Sequence, residues 1–424
     1  MRCTMALWVR RPMGETVGLD IARLGAQGDG IADTPSGPVF VPYALPGERV
    51  QAEARGERGR LVAVITPSPD RTAPVCRHFT HCGGCAVQHM RMPAYLAWKR
   101  EMVSAAFAAR GIEAPVAHVA SVGLGARRRA AFSARRTGRG VALGFHEAKG
   151  HDIVDLHECP VTASAIVRAL PGLRRLIEPL SSRRAPARLV VTLAANGLDV
   201  AIEDVPGELS AELRERLAGE ATACKLARLT LSGDTIYQAT VPAVRFGEAN
   251  VVLPPRSFLQ AAPAAEAEMV RLVTAAIGGA KRVVDLFCGL GTFTFPLAQR
   301  SHVLAVDGDK PAIAALQSGA NRTPGLKPIE TKVRDLFREP LSAKELQSFE
   351  AAVLDPPRAG AATQAAMLAV SGVRTIAAVS CNPATLARDA RILIDGGYTL
   401  ERVTPIDQFL YSPHIEAVAI FRRT

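Results

Sequence analysis

In the last third of the chain, short uninterrupted apolar runs recur between stretches of helical spacing. They are RVVDLF (282–287), HVLAVD (302–307), AAVLD (351–355), TIAAVS (375–380) and HIEAVAIF (414–421). A strand covered on both faces has no polar side, so this rhythm predicts a largely parallel sheet with helices on both faces. Between about 120 and 255 the strand-like runs follow one another more directly. One of them, ARLVVTLAANGLDVAIED, predicts a hairpin turning at Asn196-Gly197. Residues 14–66 alternate apolar and polar positions between glycine and proline turns, the pattern of a small barrel. Pro67, Pro69 and Pro74 mark a linker, and 92–110 carries apolar residues at helical spacing up to Gly111, a C-cap.

A chain of 424 residues exceeds one ordinary core. The pattern divides it into a small OB-like β-barrel over 1–70, a central α+β domain over 71–255, and an α/β doubly wound, Rossmann-like domain over 256–424. There is no run of eighteen apolar residues to span a membrane, and MRCTMALWVRRPMGET lacks the apolar core of a secretory signal. A cytoplasmic chain is expected. The net charge of +11 suits a polyanionic partner such as nucleic acid.

The first strand of the doubly wound region runs into Asp285-Leu-Phe-Cys-Gly-Leu-Gly291. Gly289 and Gly291 would let a ligand approach the backbone closely between strand and helix. Asp307 ends the next strand, where a carboxylate accepts hydrogen bonds from ribose hydroxyls. A nicotinamide fingerprint requires a third glycine where this chain has Thr294, so D-x-F-x-G-x-G fits S-adenosylmethionine better. Asp355-Pro-Pro-Arg358 ends a third strand with a carboxylate and rigid backbone over the same crevice. In amine methyltransferases an aromatic residue follows a related D/N-P-P; arginine here speaks against that chemistry.

TIAAVS leads into Cys381-Asn382-Pro383, which puts a thiol at a strand tip beside the expected cofactor. A pyrimidine C5 is too weakly nucleophilic to take a methyl group from a sulfonium. Thiolate addition at C6 would make C5 carbanion-like, and a base must then remove the C5 proton before the thiol can leave. Glu416, at the start of the last strand, is the candidate base. An inert buried thiol and a surface glutamate are the plain alternatives, and the pairing of the two residues argues against both.

Together these residues resemble the 23S ribosomal RNA (uracil-5-)-methyltransferase family, including relatives that act on transfer RNA, over nearly the whole chain. SCNPATLARD (380–389) is similar to the family's nucleophile motif and implies Cys381 as nucleophile. HIE (414–416) is similar to its H-[LV]-E signature and implies Glu416 as base. By the same resemblance Gln260, Phe287, Thr292, Asp307, Asp335 and Asp355 are implied cofactor or pocket residues, with Gly289 and Gly291 in the turn. Thr292 stands where the family usually has Asn, Asp307 where Glu is common, and Leu410-Tyr411 where Pro-His is usual. The N-terminal segment resembles a TRAM domain, a small RNA-binding barrel.

Cys76, Cys82 and Cys85 have C-x5-C-x2-C spacing, and Cys159 follows at a distance before a proline. The spacing suits a [4Fe–4S] cluster or a structural zinc site equally. The resemblance implies the cluster, in a structural role. Cys3, Cys224 and Cys288 read as ordinary thiols. In ARRRAAFSARRTGRG (126–140), Arg127, Arg128, Arg129, Arg135 and Arg136 surround Phe132, predicting an RNA contact surface. The target uridine would leave its stack to reach Cys381. The resemblance favours 23S rRNA as substrate, with tRNA as the alternative, and a monomer is the default. An amine methyltransferase would have no use for Cys381, and a non-catalytic RNA-binding protein would have no use for the glycine turn.

Overall fold

The computed structural model describes residues 15–138, 140–183, 185–205 and 209–423. Cys3, Arg139 and the MRCTMALWVRRPMG stretch lie outside the described residues. By its contacts the chain forms two compact units. The first comprises the N-terminal part through Thr80, with Cys85–Trp98 and Tyr411–Pro413; the second holds the rest.

In the first unit the alternation between turns forms a six-stranded, mostly antiparallel sheet. Its order is Glu15–Asp20, Arg49–Arg55, Arg58–Thr66, Gly37–Pro42, Asp29–Thr34 and Arg23–Leu24. Leu19, Ile21, Val39, Val41, Val50 and Ala52 supply its apolar core. Arg71 donates to both oxygens of the buried Glu48, which also accepts from the backbone N–H groups of Leu45 and Ser68. These bonds hold the Glu48 carboxyl below its usual range against the opposing effect of burial, which is the largest single influence.

The second unit contains two large sheets. One has seven strands in the order Ile153–Asp155, Gly140–His146, Arg129–Thr137, Ala187–Ala194, Gly197–Glu203, Leu226–Leu231 and Asp234–Gln238. The Asn196-Gly197 turn forms as expected: Ala194 pairs with Gly197 across a tight hairpin. Helices Ser164–Ile177 and Ala211–Ala223 cover one face of this sheet.

The other sheet has eight strands in the order Ile329–Val333, His302–Asp307, Arg282–Leu286, Ala351–Leu354, Thr375–Ser380, Glu416–Arg422, Thr399–Asp407 and Ala120–Ser121. The first five run parallel, and Glu416–Arg422 is antiparallel to both of its neighbours. Thr375–Ser380 is buried at all six positions, as the apolar run Ile-Ala-Ala-Val at its centre requires. The parallel connections run outward in both directions from the Arg282–Leu286 strand. A crevice therefore opens at its carboxyl end, where ligands bind in such sheets.

The sheet also recruits residues from before position 122. Val103, Phe107, Ile112 and Val116 are buried in the same core as Val284, Leu286 and Phe421. Ala120–Ser121 adds an edge strand to Thr399–Asp407. A two-residue strand is too short to leave a periodicity in the sequence.

Candidate active site

The carboxyl ends of the five parallel strands converge on one cavity of about 530 Å³. Its lining includes Gln260, Phe287, Gly289, Thr292, Asp307, Asp335, Asp355, Cys381 and Glu416. Residues drawn from five separate sequence motifs thus meet in one space within the second unit. Gly291 lies behind the lining: its φ is +96°, and an added Cβ would stand 2.7 Å from the Phe295 ring. Only glycine fits there. Phe287 holds φ +61°, a sparsely populated conformation for a bulky residue, which turns the chain sharply at the cavity floor.

Both oxygens of Asp307 are fixed by backbone donors, Gly289 N–H and Asp309 N–H, each at 2.8 Å. Each oxygen retains a lone pair for a ligand hydroxyl. Asp335 accepts from the N–H groups of Phe337 and Arg338 at 3.0 and 3.3 Å, which shapes the adjoining wall. Thr294 donates its hydroxyl to Asp285 at 2.6 Å, so the position of a third glycine instead orients a buried carboxyl. Burial is the chief reason the Asp285 carboxyl is pushed up to about 7.

Cys381 sits at the tip of its strand, immediately before the helix Pro383–Asp395. Asn382 caps that helix by accepting from Ala384 N–H at 3.0 Å. Its amide also donates to the Arg358 carbonyl at 3.4 Å, joining the thiol segment to the Asp-Pro-Pro-Arg turn. Burial, with Glu416 and Asp355 nearby, pushes the Cys381 thiol up to about 11, while Arg358 opposes the shift. Burial likewise drives Asp355 well above the usual carboxylate range and lifts Glu416 to about 7.

The sequence gives no sign of Gln408. Its Nε2 donates to Glu416 Oε1 at 2.9 Å and to Gln260 Oε1 at 2.8 Å, and Gln260 Nε2 donates to Asp355 at 3.1 Å. The preceding residue, Asp407, forms a fully buried pair with Lys99 at 3.1 Å, and Lys99 also donates to the His414 carbonyl. Two aromatic residues were also missed. Phe258 (67% exposed) and Phe337 (48% exposed) border the cavity with their rings open to solvent. Exposed aromatics carry no periodic signal, so neither could be found from the pattern.

The basic run is only partly a surface, which corrects the sequence reading. Phe132 is 1% exposed, because the Arg129–Thr137 strand turns Ala130, Phe132 and Ala134 toward the core. Arg128 is buried against Glu266, donating at 2.5 Å, and against the Gln260 carbonyl at 3.0 Å. Arg136 donates to the Glu178 and Ser181 carbonyls, and Arg135 pairs with Asp152 at 2.9 Å. Arg127 and Arg129 lie over the Phe409 and Phe258 rings at 5.4 and 5.8 Å.

Cys76 and Cys85 belong to the first unit and Cys82 and Cys159 to the second; all four are partly exposed. Cys82 Sγ accepts from Gly84 N–H at 3.4 Å, and Cys159 Sγ lies 3.2 Å from the Thr162 hydroxyl. Among the described residues no group of three or more His, Cys, Asp or Glu is gathered closely enough to hold a metal ion. Cys288 is buried beside the cavity floor, where desolvation keeps it protonated. No helix among the described residues is long and apolar enough to cross a membrane.

The profile of the tRNA (Uracil-5-)-methyltransferase family matches residues 227–424, and that of the TRAM domain matches 10–55. An "Uncharacterized RNA methyltransferase" of Caulobacter vibrioides is 49% identical over 96% of this chain and 99% of its own length. The 23S rRNA (uracil(1939)-C(5))-methyltransferase RlmD of Chromohalobacter salexigens is 32% identical, covering 98% of this chain and 91% of its own. Among solved structures, the Pyrococcus abyssi tRNA (uracil-54, C5)-methyltransferase in complex with S-adenosyl-L-homocysteine superposes with a TM-score of 0.75. That similarity covers 95% of this chain and 99% of the other at 24% identity, and shows the shared fold. The chain belongs to the RNA (uracil-5-)-methyltransferase family, with a TRAM domain at its N-terminus.

Proposed function

We propose that this protein methylates carbon 5 of one uridine in 23S rRNA, with Cys381 as nucleophile, Glu416 as base and S-adenosylmethionine as methyl donor. The observation that carries this reading is the shared cavity. A thiol and a carboxyl line the same space as the glycine turn and Asp307. Of the two full-length relatives above whose names state a substrate, the 23S rRNA enzyme is 32% identical and the tRNA enzyme 24%, which supports ribosomal over transfer RNA.

The residues fit the donor. Asp307 offers two fixed carboxylate oxygens to a ribose, and Asp335 and Asp355 add carboxyls to the same lining. When bound, the donor supplies an electrophilic methyl group. Cys381, once deprotonated, adds through Sγ to C6 of the uracil and pushes the ring electrons toward O4 and C5. C5 then forms its bond to the methyl carbon as the carbon–sulfur bond breaks. Glu416 removes the C5 proton, the C6–Sγ bond breaks, and the thiolate is restored. Each turnover releases one proton. Phe258 and Phe337 offer faces on which an extruded base or its neighbour can stack, and Arg129, over the Phe258 ring, offers a cation to phosphate.

Mapping 5-methyluridine by mass spectrometry in ribosomal and transfer RNA from a deletion strain tests this reading. Loss of one 23S rRNA site, restored by the wild-type gene, is expected. Loss from transfer RNA alone would move the substrate, and persistence of every site would sink the reaction.

The reading extends to a [4Fe–4S] cluster on Cys76, Cys82, Cys85 and Cys159, with a structural role. Four thiols fit such a cluster by donor chemistry, and no step of the methylation passes through it. Anaerobically purified protein should carry about four iron and four sulfide per chain. Stoichiometric zinc without sulfide would overturn that assignment.

A further inference from the structure

Glu416 and Asp355 approach each other at the cavity floor, and two glutamines separate them. Gln408 Oε1 accepts from the backbone N–H groups of Ala261 and Ala262, at 2.8 and 3.3 Å. Its amide orientation is thereby fixed, so its NH2 group must face Glu416 and Gln260. Gln260, whose oxygen accepts from Gln408, must in turn present its own NH2 to Asp355. The chain of bonds has one direction, from the backbone of residues 261–262 to both carboxyls. It is also rigidly mounted. Gln408 is 2% exposed and follows Asp407, which Lys99 and Ser121 hold from two sides.

We propose that Gln408 is a positioning residue that acts on product release. By occupying Glu416 Oε1, it leaves Oε2 as the atom that takes the C5 proton, and it favours the ionised carboxylate. This rests on the reading of Glu416 as the base. The role is selective, because thiol addition and methyl transfer need no proton acceptor at C5, whereas elimination does. The charged or titratable groups facing Glu416 are Asp355, Arg358 and Cys381. Arg358 works in the same sense as Gln408 and favours the ionised carboxylate, while Asp355 opposes it.

The test is Gln408→Met, which preserves volume and removes the amide, studied with a target RNA fragment and a methyl-labelled donor. A single hydrogen bond to a charged group corresponds to an effect of about 10- to 100-fold. Release of methylated RNA should slow by that factor and its half-maximal pH should rise. Labelled protein–RNA adduct should accumulate on denaturing gels while donor affinity stays as in the wild type. Equal loss of adduct formation and release, or wild-type release, would overturn the proposal. If the methionine variant does not fold, Gln408→Glu serves: its added carboxyl should move the release profile to higher pH, and an unmoved profile would overturn the idea. Glu416→Gln is the control that separates the two claims. If it builds no methylated adduct, the base assignment fails; if it does and Gln408→Met does not, only the positioning role fails.

Discussion

Replacing Cys381 with alanine should abolish methylation, with a loss of about 10^4-fold or more in single-turnover rate, while donor binding persists. The argument is one of chemistry and position. No other thiol among the described residues lines the cavity except Cys288, which is fully buried and held protonated by desolvation. The uracil C5 has no other route to carbanion character in a cavity whose remaining titratable groups are mostly carboxyls. Alanine removes the sulfur and nothing that holds the fold, because the segment is anchored by the Asn382 cap and the buried strand before it. Isothermal titration with the methyl donor, set beside incorporation of labelled methyl into RNA, separates binding from turnover. Full incorporation by the variant would remove the covalent step and return the Asp-Pro-Pro-Arg turn to consideration as an amine site.

The wild-type thiol should also respond to pH. Burial places it near 11, so the thiolate fraction grows with pH throughout the accessible range. The Asn382-capped helix start and Arg358 both favour the anion, and a bound cation would favour it further.

The parallel strands, the glycine turn and the two reacting residues were legible because each leaves a local mark. Runs such as TIAAVS are buried at every position and apolar between their end residues since both faces are covered. Gly291 is required by a positive φ and a packed ring. Gln408 left no mark, because its role comes from backbone donors about 150 residues away in sequence. Arg128 and Phe132 were misread for a related reason. A strand alternates its faces, so the Arg129–Thr137 strand turns Phe132 inward, while Arg128, just before it, is buried against Glu266 on the helix Pro263–Ile277. Lys99 is the opposite case. A lysine on a helix reads as solvated, yet its pairing with Asp407 lies in the core, where it fixes the segment carrying Gln408 and Glu416.

Glu416→Gln should trap the enzyme on its RNA and, at the same time, stabilise the free protein. With no base at C5, addition and methyl transfer proceed but elimination slows by about 10^3-fold, so a methylated adduct survives denaturation. The stability change follows from the same carboxyl. Its pKa is about 7 in the folded chain against an ordinary 4.5, chiefly through burial, with Gln408 and Arg358 acting in opposition. A carboxyl harder to ionise when folded costs nothing below pH 4.5, and the cost grows as pH rises and is complete above pH 7. The amide does not titrate, so the variant should gain relative to wild type across that window. The gain should reach on the order of 3 kcal/mol in urea denaturation at pH 8. At pH 4 the two should unfold alike. A residue kept at the expense of stability and needed for one late step is what a catalytic base in a desolvated site should look like. Equal stability of the two proteins at pH 8 would mean that the wild-type carboxyl ionises freely in the fold, and absence of a trapped methylated adduct would move the general base elsewhere in the cavity.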